Sequence, residues 1–415
     1  MQELIGILVA FLILATLIFN KIDFGKSILI AVGVLLLIAN PSLEGLRWIY
    51  EIALSYDTIS LVAIIISISY LGFLYKDTNQ VYRMIRELRG IFSDRRFVIA
   101  SIPAIFGLMP MPGGALVSAP LIDDEGDALG ANGVIKTVTN WWFRHIWFPI
   151  YVLAPGLVIA AALVKDISVY DIAIYNSPIF AVQILVGIYW LKKNIKFSKS
   201  KEDGFSSSII IWEFMPIIIA LSLNLIPTII NKIGIAEIPV VPFYISIFLA
   251  ILFILIQNRN RYSLKKMPSV LKEGFSFDLL LAAFGIMTFK GLIEKTAALG
   301  PAVSTLQNHI PLLLVVVLVA IAIGMIFGHL PSSIGVGFSI LIPILPVVNI
   351  KTVGLVYLFI FLGYFVSPIH LCIILTVEYF KTSLKIFYKN IKLPFATLVI
   401  AIIIWLLITG AFFSF

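Results

Sequence analysis

Apolar stretches of roughly 20 residues recur along this chain from end to end, separated by short polar segments. A helix of that length crosses the hydrocarbon core of a bilayer, so the pattern predicts a row of membrane helices. In the first half they fall at 4–19, 28–39, 58–75, 98–121, 133–164 and 168–191. In the second half they fall at 208–230, 240–256, 275–293, 311–344, 353–379 and 395–413. The stretch 28–39 is short for a span. The stretch 133–164 is too long for one straight helix, and Pro149 predicts a break within it.

Two apolar stretches are interrupted at their centres. The first reads Leu108-Met109-Pro110-Met111-Pro112-Gly113-Gly114-Ala115, the second Gly328-His329-Leu330-Pro331-Ser332-Ser333-Ile334-Gly335. Pro112 and Pro331 are 331 − 112 = 219 residues apart. The same shift carries Phe148-Pro149-Ile150-Tyr151 onto Ser367-Pro368-Ile369-His370, and Gly72 onto Gly291. Chance is one explanation, because Pro and Gly are frequent in membrane helices. An internal repeat with a helix-breaking tip in each half is the other, and it accounts for all three matches.

Composition and charge narrow the class. Hydrophobic residues make up 60% of the 415 and charged residues 13%, about half the charged share of a soluble domain. The fold class is therefore an all-α polytopic membrane protein, with function carried by the membrane part. The net charge of +8 does not indicate nucleic-acid binding, because the basic residues sit at loop positions, where they orient helices. The one cysteine, Cys372, excludes an internal disulfide and a multi-cysteine metal site. The N-terminus lacks a basic n-region, so 4–19 reads as a retained span.

The same charges decide how the interrupted stretches run. If each is a re-entrant hairpin, loops 20–26, 76–97, 191–204, 257–273 and 380–393 share one side and hold 22 of the 30 Lys and Arg. Arg47, Lys165, Lys232 and Lys295 lie in the opposite loops. That bias makes the rich side cytoplasmic and puts both termini outside a cell membrane. If 98–121 were one kinked span, the five lysines of 191–204 would move outside, so charge favours the hairpin. About ten transmembrane helices plus two re-entrant hairpins follow, in two inverted-topology repeats. The first repeat is 1–191, with its hairpin at about 98–121. A basic cytoplasmic linker covers 192–207, and the second repeat is 208–415, with its hairpin at about 311–344. Segment 76–96 carries Val81, Met84, Ile85 and Leu88 at helical spacing among arginines, which predicts an amphipathic helix on the inner leaflet; a solvated basic loop is the alternative.

The chemistry-bearing residues gather at the interruptions. A tip at membrane depth leaves backbone groups that lipid cannot satisfy, so they face protein, water or a ligand. Pro112, Gly113 and Gly114 permit close backbone approach, and Ser332, Ser333 and Gly335 stand at the other tip. Arg144 lies deep in an apolar stretch and shares a helix face with Asn140. An arginine so placed usually faces a cavity or a partner, and its fork fits a carboxylate. The competing reading makes Arg144 and His145 an inner-face anchor within an aromatic belt of Trp141, Trp142 and Trp147. Tyr151, Ser367 and His370 complete the candidate substrate site, with His370 equally readable as a packed core histidine. No metal site is firm; a coupling sodium ion would sit near Gly113, Gly114, Ser332 and Ser333. The acidic run Asp123, Asp124, Glu125 and Asp127 reads as a solvated loop.

Two inverted halves, each with a hairpin and a broken helix, resemble the ion-transporter superfamily, which includes divalent anion/sodium symporters and gluconate and citrate permeases. More narrowly, Met109-Pro110-Met111-Pro112-Gly113-Gly114-Ala115 with Ser118-Ala119-Pro120, followed by Asn140-Trp141-Trp142-Phe143-Arg144-His145-Ile146-Trp147, is similar to the membrane family called domain of unknown function 401. The superfamily resemblance implies a homodimer, a scaffold plus an elevator-type transport domain, and hairpin tips that hold substrate and coupling cation. Sodium-coupled dicarboxylate members carry Ser-Asn-Thr at each tip, where this chain reads Met-Pro-Gly-Gly and Pro-Ser-Ser.

The expected function is secondary active transport of a small organic anion of carboxylate type, coupled to a Na+ or H+ gradient. A cation/proton antiporter is one alternative, with Glu213 and Asp278 as its carboxylates. A membrane-embedded enzyme or lipid-binding protein is another. No H-E-x-x-H, Walker or G-x-S-x-G motif occurs, so no enzymatic activity is expected. The expected partners are the anionic substrate, the lipid bilayer and a second copy of the chain.

Overall fold

The computed structural model describes residues 2–109, 114–199, 207–262, 266–296, 299 and 310–415. Among these the secondary structure is helical, apart from one isolated bridge between Asp94 and Lys199. Five described helices are long and apolar enough to cross a membrane: Gln2–Phe19, Tyr56–Asp77, Val169–Asn194, Ser208–Lys232 and Leu384–Ile408. A sixth span arises if Met267–Gly274 and Phe277–Thr296, bent by 47°, are counted together. Shorter apolar helices, among them Phe24–Ala39, Phe243–Gln257 and Leu312–Phe327, fill the rest of the bundle. The chain is an all-helical, multi-pass membrane protein.

Helices recur at a nearly constant offset. Phe24–Ala39 is matched by Phe243–Gln257, Tyr56–Asp77 by Phe277–Thr296, and Arg95–Leu108 by Leu312–Phe327. Gly133–His145 is matched by Ile350–Phe365, Pro155–Ala162 by Leu371–Tyr379, and Val169–Asn194 by Leu384–Ile408. The starts of these pairs lie between 384 − 169 = 215 and 277 − 56 = 221 residues apart.

The helix breaks have local causes. Gly133–His145 stops ahead of turns that carry Pro149, and the chain resumes as Pro155–Ala162 with a proline in its first turn. Ile350–Phe365 and Leu371–Tyr379 are parted at Ser367 and Pro368. At the second tip, Gly328 closes Leu312–Phe327 with a φ of 55°, a left-handed C-cap that glycine adopts without steric cost. Pro331 then sits in the first turn of Leu330–Leu341.

The first hairpin starts and finishes at one level. Glu125, near the end of Gly114–Ala128, accepts from Arg95 Nε at 2.7 Å and pairs with Arg89 at 3.0 Å. Arg95 opens the preceding helix Arg95–Leu108, so the two helices run out and back. The same corner meets the segment that follows Val169–Asn194. Arg95 N–H donates to Ser198 O at 2.9 Å, and Arg96 lies over the Phe197 ring at 5.6 Å.

Two expectations are corrected here. The acidic run is helical and ion-paired, because Lys136 Nζ stands 2.5 Å from both Asp123 and Asp127 while Glu125 is held by the arginines. The amphipathic segment forms the helix Gln80–Ile91, but its apolar face meets protein and not lipid. Val81, Met84 and Ile85 are buried there, and Arg83 grips Glu213 at 2.5 Å.

At the centre lies Ile350–Phe365, whose residues from Thr352 onward are all buried. Apolar on every side, it is covered by helices all round. Leu312–Phe327 approaches it backbone to backbone. A Cβ at Gly324 would strike Ile360 O, and one at Gly363 would strike Ile321 O. Small residues at such crossings allow the close packing that holds helices together in lipid.

Candidate functional site

Both tip helices and both helix breaks converge on one region. The first-tip helix Gly114–Ala128 packs on Leu371–Tyr379, the second piece of the other half's broken helix. The second-tip helix Leu330–Leu341 packs on Pro155–Ala162, and a Cβ at Gly156 would touch the Leu330 side chain at 3.2 Å. Each tip helix thus rests on the broken helix of the opposite half. Tyr357 Oη donates to Phe148 O at 2.6 Å, tying the first break to the central helix.

Arg144 is the charged group of this region. It is only 7% exposed, and its guanidinium fills the space where a Cβ at Gly114 would stand. Gly114 opens its helix, so the guanidinium stands at a helix N-terminus, whose partial charge is also positive. Nη1 of Arg144 is buried with no hydrogen-bond partner among the described residues. Two like charges meet there, an arrangement that an anion completes.

Asn140, one turn earlier, has its amide committed to the fold. Oδ1 accepts from Ser118 Oγ at 2.7 Å, and Nδ2 donates to Ala115 O at 3.1 Å, with a longer approach to Thr376 Oγ1 at 3.4 Å. It ties the first-tip helix to Leu371–Tyr379. The tryptophans are equally committed: Trp141 and Trp142 are buried, and Trp141 lies on Phe365 with centroids 4.1 Å apart. Trp147 Nε1 donates to Ala104 O at 2.8 Å. They line protein and not a membrane belt.

His145 donates from Nδ1 to Trp141 O at 2.5 Å, which leaves Nε2 as a buried lone pair without a partner among the described residues. Its ring stands edge-on to His370 at 4.8 Å between centroids, and among the described residues neither nitrogen of His370 has a hydrogen-bond partner of good geometry. Tyr364 stacks against His370 at 4.3 Å. Tyr151 is buried in the first break. Ser367 donates to Met325 O at 2.6 Å, joining the second break to the second hairpin.

At the second tip the hydroxyls are engaged. Ser332 Oγ and His329 Nδ1 are 2.7 Å apart, and Ser333 Oγ donates to His329 O at 2.9 Å. Gly335 faces elsewhere: a Cβ there would meet the side chain of Ile286, so this glycine serves packing against Phe277–Thr296. Pro112 and Gly113 lie outside the described residues. Their part in the site, and that of a sodium ion beside Gly113, has no geometry to set against it.

Several residues of the region escaped the sequence reading. Ser118 and Thr376 stand around Asn140, and Cys372 stands by the two histidines. His329 lay within the second tip motif and was legible there. Some of these contacts join distant parts of the chain, as with Asn140 and Thr376, 236 residues apart, and His145 with His370.

A protein-family model described as "Protein of unknown function (DUF401)" matches residues 4–410. No curated protein sequence matches the chain. Among solved structures, it is similar to the Alcanivorax borkumensis YdaH transporter, whose crystal structure is reported to reveal an unusual topology. The TM-score is 0.60 at 11% sequence identity, covering 90% of this chain and 89% of that one. At that identity the likeness is one of fold.

Proposed function

The chain belongs to the family of proteins of unknown function DUF401, and from that premise we propose that it is a secondary active transporter of a small organic anion of carboxylate type. One observation carries the reading: the buried Arg144 guanidinium set against the N-terminal end of Gly114–Ala128, with Nη1 lacking a partner among the described residues. A carboxylate would satisfy the fork and the helix end together. The fold shared with a transporter supports the same class.

In this reading the two halves are inverted-topology repeats, each with one re-entrant hairpin. The matched helix pairs and the out-and-back course of Arg95–Leu108 and Gly114–Ala128 support it. The basic loops face the cytoplasm, and both termini lie outside. Transport proceeds by an elevator movement of the tips and broken helices against a scaffold, in a homodimer, driven by sodium or protons. A cavity of about 680 Å³ walled by Asp57, Ser60, Val158, Ala161, Asn224 and Thr228 is the vestibule that such a movement would use.

The antiporter alternative is weakened by its carboxylates. Glu213 is neutralised by Arg83, and Asp278 accepts from the Gly25 N–H at 2.8 Å. Both are committed to joining helices. The test is uptake of a panel of radiolabelled carboxylates into proteoliposomes under sodium gradients, pH gradients and neither. Gradient-dependent accumulation of at least one member is expected. Absence of flux for the whole panel, with cation/proton exchange in the same vesicles, would replace this reading by the antiporter.

A further inference from the structure

His145, His370 and Cys372 bring three potential ligand atoms within 4.8 Å of one another at the heart of the protein. Both histidines are buried, and among the described residues His145 Nε2 and the two ring nitrogens of His370 have no hydrogen-bond partner of good geometry, the Phe365 backbone making only a weak approach to His370. A buried polar atom left so costs about 1–3 kcal/mol, and such atoms in native proteins normally have a ligand, ion or water to meet. The Cys372 thiol is free and half-buried beside them.

The fourth nitrogen shows how the site is oriented. His145 Nδ1–H is fixed to the Trp141 carbonyl, and that bond leaves Nε2 unprotonated and directed away from its own helix. Metal-bound histidines are held in this manner, with the second N–H anchored on a carbonyl or carboxylate. His370 and Cys372 follow on the other half of the chain, at the start of Leu371–Tyr379. The donors are two nitrogens and one sulfur. Sodium, magnesium and calcium prefer oxygen, whereas zinc and its borderline-soft neighbours prefer this set.

We propose that His145, His370 and Cys372 form a binding site for one divalent transition-metal ion of the zinc type. Metal–nitrogen and metal–sulfur bonds of roughly 2.0–2.3 Å require the three donors to close by about an ångström, with a fourth coordination position left open. Binding takes the thiol proton, so each ion bound releases one proton to solvent and a thiolate offsets part of the metal's charge beside Arg144. The site does not depend on the anion reading, because the probe is the metal alone.

The experiment uses the full chain purified in detergent and stripped with a chelator. Zinc titration by calorimetry should give one ion per chain. Cobalt(II) should give the near-ultraviolet thiolate-to-metal absorption of a sulfur-bound site, together with the visible bands of low-coordinate cobalt. Cys372→Ser, a nearly isosteric change, should abolish the thiolate band. His145→Gln and His370→Gln should each weaken zinc binding by about tenfold or more. A wild-type cobalt spectrum without the thiolate band overturns the proposal, even if every variant fails to fold. So does zinc binding of equal affinity and stoichiometry in folded Cys372→Ser and His370→Gln.

Discussion

Arg144 and Gly114 share one volume: the guanidinium of the first occupies the place where a side chain on the second would begin. The two residues come from different helices, Gly133–His145 and Gly114–Ala128, and meet at the start of the latter. An arginine is thereby held against a helix N-terminus inside a membrane protein. That juxtaposition has consequences for binding that can be separated from consequences for folding.

Gly114→Ala is the smallest test. In a helix, alanine is generally favoured over glycine by about 0.5–1 kcal/mol, so the change should not destabilise by propensity. Its Cβ would nevertheless displace the Arg144 guanidinium. We expect carboxylate uptake to fall by about tenfold or more, the loss of one charged hydrogen bond, while the thermal melt in detergent stays near wild type. Wild-type uptake in Gly114→Ala would mean that the guanidinium position does not matter to transport.

Arg144→Lys separates fork from charge. Lysine keeps the positive charge but loses the planar pair of donors. If Arg144 holds a carboxylate, affinity should drop by about tenfold or more, from a loss of about 1.5–3 kcal/mol, and Arg144→Gln should be worse. A membrane-surface anchor would tolerate lysine, which snorkels readily. Thermal shift with a transported carboxylate gives the affinities. Equal binding by wild type and Arg144→Lys would remove Arg144 from the site.

Much of this arrangement was legible from punctuation. Pro112, Pro149, Pro331 and Pro368, with their glycines, mark where helices cannot continue, and the structure breaks its helices at or beside the described ones. The deep placement of Arg144 was legible because an apolar stretch surrounds it. What the sequence lacked was distance. Nothing local distinguishes Gly114, which faces Arg144, from Gly335, which faces Ile286. The acidic run looked solvated because its neutralising partners, Arg89, Arg95 and Lys136, belong to other elements. The face of Gln80–Ile91 reads the same whether lipid or protein covers it, and only the fold places Ser207–Lys232 against it.

Topology follows from the corner where Arg95 meets Ser198. Segments 92–97 and 195–199 touch, so they lie on one face of the membrane, which in the proposed topology is the cytoplasmic one. Single cysteines at the exposed positions Ser93 and Asn194, in a Cys372→Ser background, should react with an impermeant maleimide only after the membrane is opened. A cysteine at exposed Lys232 should react in intact cells. Labelling at Asn194 from outside, with Ser93 protected, would contradict both the contact and the re-entrant hairpin.

Asn140 offers a test of positioning as distinct from binding. Its carboxamide joins Ser118 and Ala115 of the first-tip helix and reaches Thr376 of Leu371–Tyr379. Both ends of the carboxamide are engaged with protein, so it acts by holding the tip helix where Gly114 meets Arg144. Asn140→Ala removes two close buried hydrogen bonds and one longer one, to Thr376, and should cost about 1–3 kcal/mol of stability. The Ser118 proton can then turn to Ala115 O, 3.1 Å away, so its hydroxyl is not orphaned. Maximal uptake rate should therefore fall together with the melting temperature, whereas Arg144→Lys should raise the substrate concentration for half-maximal uptake and leave the melt nearly unchanged. Asn140→Asp keeps an acceptor for Ser118 but places a carboxylate against Ala115 O, and should be the less stable of the two variants. If Asn140→Ala instead changed only the half-saturating concentration, with stability intact, Asn140 would be a substrate ligand and its bonds to the tip helix would have to open during transport.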